Sequence, residues 1–72
     1  MKDRSYKVGE VVFANHVIVR REPFRIVAIH GQLGVVITIS EPYIWVRWAG
    51  GAEASVFAKD VNPYQGHVEY RQ

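Results

Sequence analysis

The feature that most constrains the fold of this chain is the alternation of side chains over Tyr43–Trp48, which a pair of glycines follows. Isoleucine, valine and tryptophan stand at its second, fourth and sixth positions and therefore share one face of a β-strand. Gly50 and Gly51 then supply the positive φ that a tight hairpin turn needs. The surrounding residues 34–63 predict two strands, a turn, a third strand and a short helical turn.

The rest of the chain continues as short strands that glycine and proline separate. No window of a dozen residues has the 3.6-residue period of an α-helix. We therefore predict an all-β fold, a small antiparallel SH3-like barrel of five or six strands with one short helical turn, because closure removes exposed sheet edges. The predicted strands are residues 8–13, 24–30, 34–40, 43–48 and 54–58, with 17–20 as a short strand or extended arm, 59–63 as the helical turn and 67–70 as a short final strand.

Alternation within these strands also predicts which side chains fill the core. Residues 8–13 and 34–40 each have one face assigned inward, and residues 24–30 are apolar on both faces, with the face of Phe24 assigned to the core. The predicted core consists of Val11, Phe13, Phe24, Ile26, Ala28, Val35, Ile37, Ile39, Ile44, Val46, Trp48, Val56, Ala58 and Val61.

Length and composition indicate a single domain. The chain has 72 residues, of which 49% are hydrophobic and 22% charged. Residues 1–7 are predicted to form a flexible N-terminal tail, and residues 8–70 the domain. The chain has no cysteine, which excludes disulfides and thiolate metal sites. No run reaches the ~18 apolar residues of a membrane span, so a cytoplasmic location without membrane contact is expected.

No residue pattern points to catalysis or to a cofactor. The three histidines lie in separate turns without the spacing of metal ligands, and the acidic residues form no catalytic pair. The glycines match no phosphate-binding loop, and a chain this short has little room for a catalytic cleft with its supporting shell. We therefore expect a protein that is not an enzyme, has no cofactor and has no small-molecule substrate.

Short motifs along the chain resemble those of the SH3-like barrel group, which includes KOW, Tudor and chromo-type modules. The resemblance covers most of residues 8–63. It implies a binding unit for RNA, DNA, proline-rich peptides or methylated side chains, and rarely an enzyme. The motifs that carry it are Val8-Gly9-Glu10-x-Val12, Gly34-x-Val36, Val46-x-Trp48, Gly50-Gly51 and Lys59-Asp60-Val61.

Outward-facing aromatic side chains form the first candidate binding site. Alternation places Tyr43, Trp45 and Arg47 on the outer face of their strand. Phe57 lies beside them on the paired strand. Aromatic rings next to an arginine suit base stacking or a peptide groove. The alternative is that Trp45 and Phe57 cover the second side of the sheet or form a dimer contact.

Three arginines, Arg20, Arg21 and Arg25, form the second candidate binding site. At the tip of a hairpin they could contact phosphates. The alternative is an ordinary solvated loop, which the neighbouring Glu22 supports. The net charge of +2 and the sequence pI near 9.2 permit a nucleic acid partner without requiring one.

These observations favour a small binding module that acts through a protein partner or through self-association. A regulator or inhibitor that occludes a larger partner belongs to this class. The small net charge and the surplus of apolar side chains on nominally outer faces support a protein partner over a nucleic acid. The alternative is a nucleic-acid-binding accessory protein that uses the aromatic and arginine face.

Overall fold

The fold is all-β, as the alternation predicts. The computed structural model describes residues 6–21 and 24–64. In this part of the chain there are seven strands, rather than five or six, and one 3₁₀ turn, Ala58–Asp60. The strands are β1 (Val11–Ala14), β2 (Ile18–Arg20), β3 (Arg25–Ala28), β4 (Leu33–Ser40), β5 (Tyr43–Trp48), β6 (Glu53–Phe57) and β7 (Val61–Pro63).

The strands form two antiparallel sheets. The larger sheet has the order β6-β5-β4-β1-β7, and the smaller one is the β2–β3 hairpin. Gly50 and Gly51 both have positive φ in the turn between β5 and β6, as predicted, and the amide of Gly51 donates to the carbonyl of Trp48 at 2.8 Å. The hydrogen-bonded ladders of the described residues join strands within each sheet and do not join β2 or β3 to the larger sheet.

Both sheets cover one core centred on Trp48, which is 1% exposed. The inward positions of β5 are those that the alternation predicts, and Ile18 and Ala28 of the small sheet pack into the same cluster. Ile39 and Ala58 are partly buried against it. The buried apolar side chains are Tyr6, Val12, Ala14, Ile18, Ala28, Val36, Ile44, Val46, Trp48, Ala54, Val56 and Val61.

The prediction for β1 and the start of β4 is wrong, because it assigns the opposite face to the core. Val11 and Val35 pair with each other and are exposed, whereas Val12 and Val36 are fully buried. Both faces of these strands are apolar, so the period-2 pattern does not indicate which face is buried. An error of one residue in the assignment moves every side chain to the opposite face. Gly34 pairs with Trp48, and the side chains of Val46 and Trp48 fill the space that a side chain at Gly34 would take, so Gly34 and Val36 share the inner face of β4.

The prediction for the strand at residues 24–30 is also wrong at two of its three core positions. Ala28 is buried, but Phe24 and Ile26 are 69% and 56% exposed. The register between β2 and β3 shifts between Ile18 and Val19, so that Val19 pairs with Ile26 on the outer surface. A bulge of this kind breaks the alternation that the prediction assumes.

The two ends of the domain differ from the predicted outline. Tyr6, which the sequence assigns to the tail, is buried, and its hydroxyl donates to the carbonyl of Val61 at 3.0 Å. The helical turn spans Ala58–Asp60 rather than 59–63, and strand β7 follows it. Residues 1–5 of the predicted tail and the predicted strand 67–70 lie outside the described residues. In the part of the chain that is described, no helix has the length and apolar character to cross a membrane.

Candidate binding site

The aromatic side chains of β5 and β6 meet on the surface of the sheet. Tyr43 pairs with Phe57 across the strands, and their ring centroids are 4.7 Å apart with 30° between the ring planes. Both residues are just over 40% exposed. Lys59 Nζ lies 5.7 Å from the centroid of the Phe57 ring. The pair therefore presents two adjoining ring surfaces that a partner can contact, with a cation at one side.

Trp45 and Arg47, the other two residues of the predicted aromatic site, have different neighbours. Trp45 is 42% exposed and lies between Thr38 and Ser55 of the neighbouring strands. Arg47 forms an ion pair with Glu53, with Nη2 2.8 Å from Oε2. Alternation thus placed the row on the outer face correctly, but the charge of Arg47 is already neutralised locally, which weakens its suitability as a phosphate contact.

A groove runs between strand β2 and strand β6, and we call it the β2–β6 groove. Residues 17–20 line one side and residues 55–57 the other, with Val27 and Tyr43 completing the wall. Its volume is about 340 Å³. A second cleft, of about 470 Å³, lies on the far side of Phe57 between Pro42 and Lys59. The aromatic pair therefore borders the β2–β6 groove, a relation that the sequence pattern did not predict.

The arginines predicted as a cluster lie at the small sheet. Arg20 pairs with Arg25 across the two strands, and all three arginines are exposed. Arg20 also lines the β2–β6 groove. Within the described residues no carboxylate forms an ion pair with Arg20, Arg21 or Arg25. Arg20 thus places a positive charge at one rim of the groove, and Asp60, whose carboxylate is contacted by His16 Nε2 at 2.9 Å, also lines it.

The small sheet contributes exposed apolar surface, of which Phe24 and Ile26 are residues that the sequence assigned to the core. Val19 and Ile26 form an exposed cross-strand pair, and Phe24 stands close by in sequence. A signal for this surface was present, because residues 24–30 are apolar on both faces and only one face can reach the core. The hairpin therefore combines exposed apolar and positively charged side chains.

Comparison of the chain with family models, with curated proteins and with solved structures finds no match. The function has to be inferred from the surface itself.

The paired arginines give a direct test of the hairpin register. Like charges directly opposite on neighbouring strands are destabilising, and opposite charges contribute about 0.2–1 kcal/mol. Arg25→Glu is therefore expected to raise the free energy of unfolding by about 0.5–1 kcal/mol at low salt, and less at ~1 M salt, where charges are screened. Urea denaturation followed by circular dichroism measures this change.

The matched control is Arg21→Glu, which changes the same charge at a position that has no cross-strand partner among the described residues. Its effect is expected to stay within about 0.5 kcal/mol. A loss of stability in Arg25→Glu, or an equal gain in both variants, would contradict the pairing of Arg20 with Arg25.

Proposed function

We propose that this protein is a small non-enzymatic binding module that acts on a protein partner through the β2–β6 groove. The observation that carries the proposal is the exposed Tyr43–Phe57 pair at a groove whose rim holds Arg20, which forms no ion pair within the described residues. Aromatic and arginine side chains are the residues most enriched at the energetic centres of protein interfaces. A regulator or inhibitor that occludes a larger partner is one form of this function.

The SH3-like barrel is part of the same proposal. The small sheet and the large sheet cover one core, to which Ile18 and Ala28 contribute from one side and Trp48 from the other. We propose that together they form a barrel wall that is open between β2 and β6. The motifs that resemble the SH3-like group support this arrangement, and modules of that group are commonly binding units.

The test compares Phe57→Ser with wild-type protein as immobilised bait for nuclease-treated lysate of the source cells. A specific protein partner is expected to be captured by the wild type and reduced by about tenfold or more in the variant, as for loss of an interface anchor. Tyr64→Ser is the control, because Tyr64 is an equally exposed aromatic residue that borders neither cleft. Equal capture by wild type and Phe57→Ser would contradict the proposal.

A nucleic acid partner is the second candidate, and Arg20, which lines the same groove as the aromatic pair, favours it. It predicts binding of single-stranded oligonucleotides that weakens steeply with salt, since each neutralised phosphate releases a counterion. The net charge of +2 is small for such a role. Oligonucleotide binding at low salt that Arg20→Glu abolishes would favour this candidate over the protein partner.

A further inference from the structure

We propose that the β2–β6 groove accepts an extended acidic peptide segment, which adds to the free edge of β6 as a further strand. This inference rests on the proposed function and names the chemistry of the partner. The partner segment has apolar residues at alternate positions and at least one aspartate or glutamate near Arg20. Addition of a strand to an open sheet edge is an established mode of peptide recognition.

The first argument is the position of β6 in its sheet. β6 is the terminal strand of the larger sheet and pairs only with β5 among the described strands. β2 is likewise at an edge, since it pairs only with β3. The two edges face the same groove, which residues 17–20 and 55–57 line. An edge strand presents unpaired amides and carbonyls that can serve as a template for another chain.

The second argument is which backbone groups of β6 are free. In an antiparallel pair, the residues whose amides and carbonyls face the partner strand alternate with those that face away. The carbonyl of Ala52 accepts from Trp48, and the amide of Ala58 donates to Pro42, so the even-numbered residues bond toward β5. The amides and carbonyls of Ser55 and Phe57 therefore point to the open edge, along the β2–β6 groove.

The third argument is the side-chain chemistry of the groove walls. Phe57 and Tyr43 form an apolar wall on one side, and Val19 and Val27 add apolar surface on the other. Because successive side chains of a strand point to opposite faces, only alternate residues of an added strand can contact such walls. The expected ligand is therefore apolar at every second position rather than uniformly apolar.

The fourth argument is charge. Arg20 lines the groove, its cross-strand partner Arg25 lies on β3, and neither forms an ion pair within the described residues. A carboxylate of the added strand beside Arg20 would form charge-assisted hydrogen bonds with its guanidinium and reduce its repulsion with Arg25. A second copy of this chain is a poorer occupant, because two molecules of charge +2 would bring two sets of arginines together. We therefore commit to an acidic partner segment and not to a symmetric dimer.

The test begins with selection of peptides of about twelve residues from a random displayed library, long enough for one strand and its flanks. Wild-type protein is expected to enrich peptides that are acidic and apolar at alternate positions. Single N-methylation along the best peptide removes one amide donor at a time. Affinity is expected to fall about tenfold at every second position and little at the residues between, as for one lost hydrogen bond. Fluorescence anisotropy measures each affinity.

Amide hydrogen exchange of the protein gives a second readout that needs no variant to fold. The amides of Ser55 and Phe57 are expected to exchange faster than those of Ala54 and Val56 in the free protein, and to become protected when the selected peptide binds.

Arg20→Glu is expected to weaken binding of the peptide by about tenfold, as for loss of a charge-assisted contact, whereas Arg21→Glu has a smaller effect.

The outcomes separate this inference from the proposed function. Enriched peptides that are proline-rich, or whose affinity is insensitive to N-methylation, would overturn strand addition and leave a binding module intact. Absence of any enriched peptide would also overturn it. Protection of Ser55 and Phe57 already present in the free protein would show that the edge is not open. Failure of Phe57→Ser to reduce capture of a lysate partner would contradict the proposed function instead.

Discussion

Replacement of Trp48 by alanine is expected to remove most of the stability of this domain. Trp48 is the largest of the fully buried side chains and belongs to the core cluster to which both sheets contribute. Truncation of a buried aromatic residue to alanine costs about 3–5 kcal/mol, and a domain of this size has a free energy of unfolding of only a few kcal/mol. Urea denaturation followed by circular dichroism should show a transition near zero denaturant or no folded baseline.

The control is Trp45→Ala, in which the same residue type is removed from the same strand on the opposite face. Trp45 is 42% exposed, so its loss is expected to cost about 1 kcal/mol or less. The loss of stability in Trp48→Phe is expected to lie between the losses in the two alanine variants. The substitution retains an aromatic ring and removes an indole N–H that finds no acceptor among the described residues. Equal effects of the two alanine variants would contradict the assignment of faces on β5.

Gly34→Ala is the substitution with the second largest expected effect. A Cβ at Gly34 would collide with Val46 Cγ1, and would lie 2.9 Å from Trp48 Cε3 and 3.1 Å from the carbonyl oxygen of Arg47. The backbone oxygen cannot move without disturbing the β4–β5 ladder. Overpacking of this kind costs about 1–3 kcal/mol and occasionally more. Thermal or urea denaturation of the purified variant measures the loss.

Gly31→Ala separates crowding from backbone strain. Gly31 has a φ of 88°, and a Cβ there would meet no atom within 4 Å. Only the left-handed conformation then opposes the substitution, at about 1–2 kcal/mol.

Val46→Ala should reduce the additional cost of Gly34→Ala, because it removes the colliding methyl group. Strict additivity of the two substitutions would show that the two side chains do not compete for the same space.

The packing around Gly34 also explains which residues of β1 and β4 are exposed. The side chains of Val46 and Trp48 occupy the space above Gly34, the next inward residue of β4 is Val36, and Val35 faces outward. Val11 pairs with Val35 and faces outward with it. The buried faces of β1 and β4 are therefore linked through their hydrogen-bonded register.

The sequence correctly predicted that the aromatic site residues are exposed, but not how they are grouped on the surface. Tyr43, Trp45, Arg47 and Phe57 are all exposed, in agreement with the alternation. The structure then divides them, since Phe57 and Tyr43 border the β2–β6 groove and Arg47 pairs with Glu53. That division depends on cross-strand partners six or more residues apart in the chain, which a period-2 pattern does not specify.

The sequence by itself determined that the chain is all-β and that the apolar positions of β5 point inward. Both follow from local alternation and turn chemistry, which neighbouring residues decide. Only the tertiary structure decided which face of β1 and β4 is buried, that a bulge turns Ile26 outward, and that β6 and β2 border a common groove. The physical reason is that strands with two apolar faces are oriented by the partners they pack against, and those partners are distant in sequence.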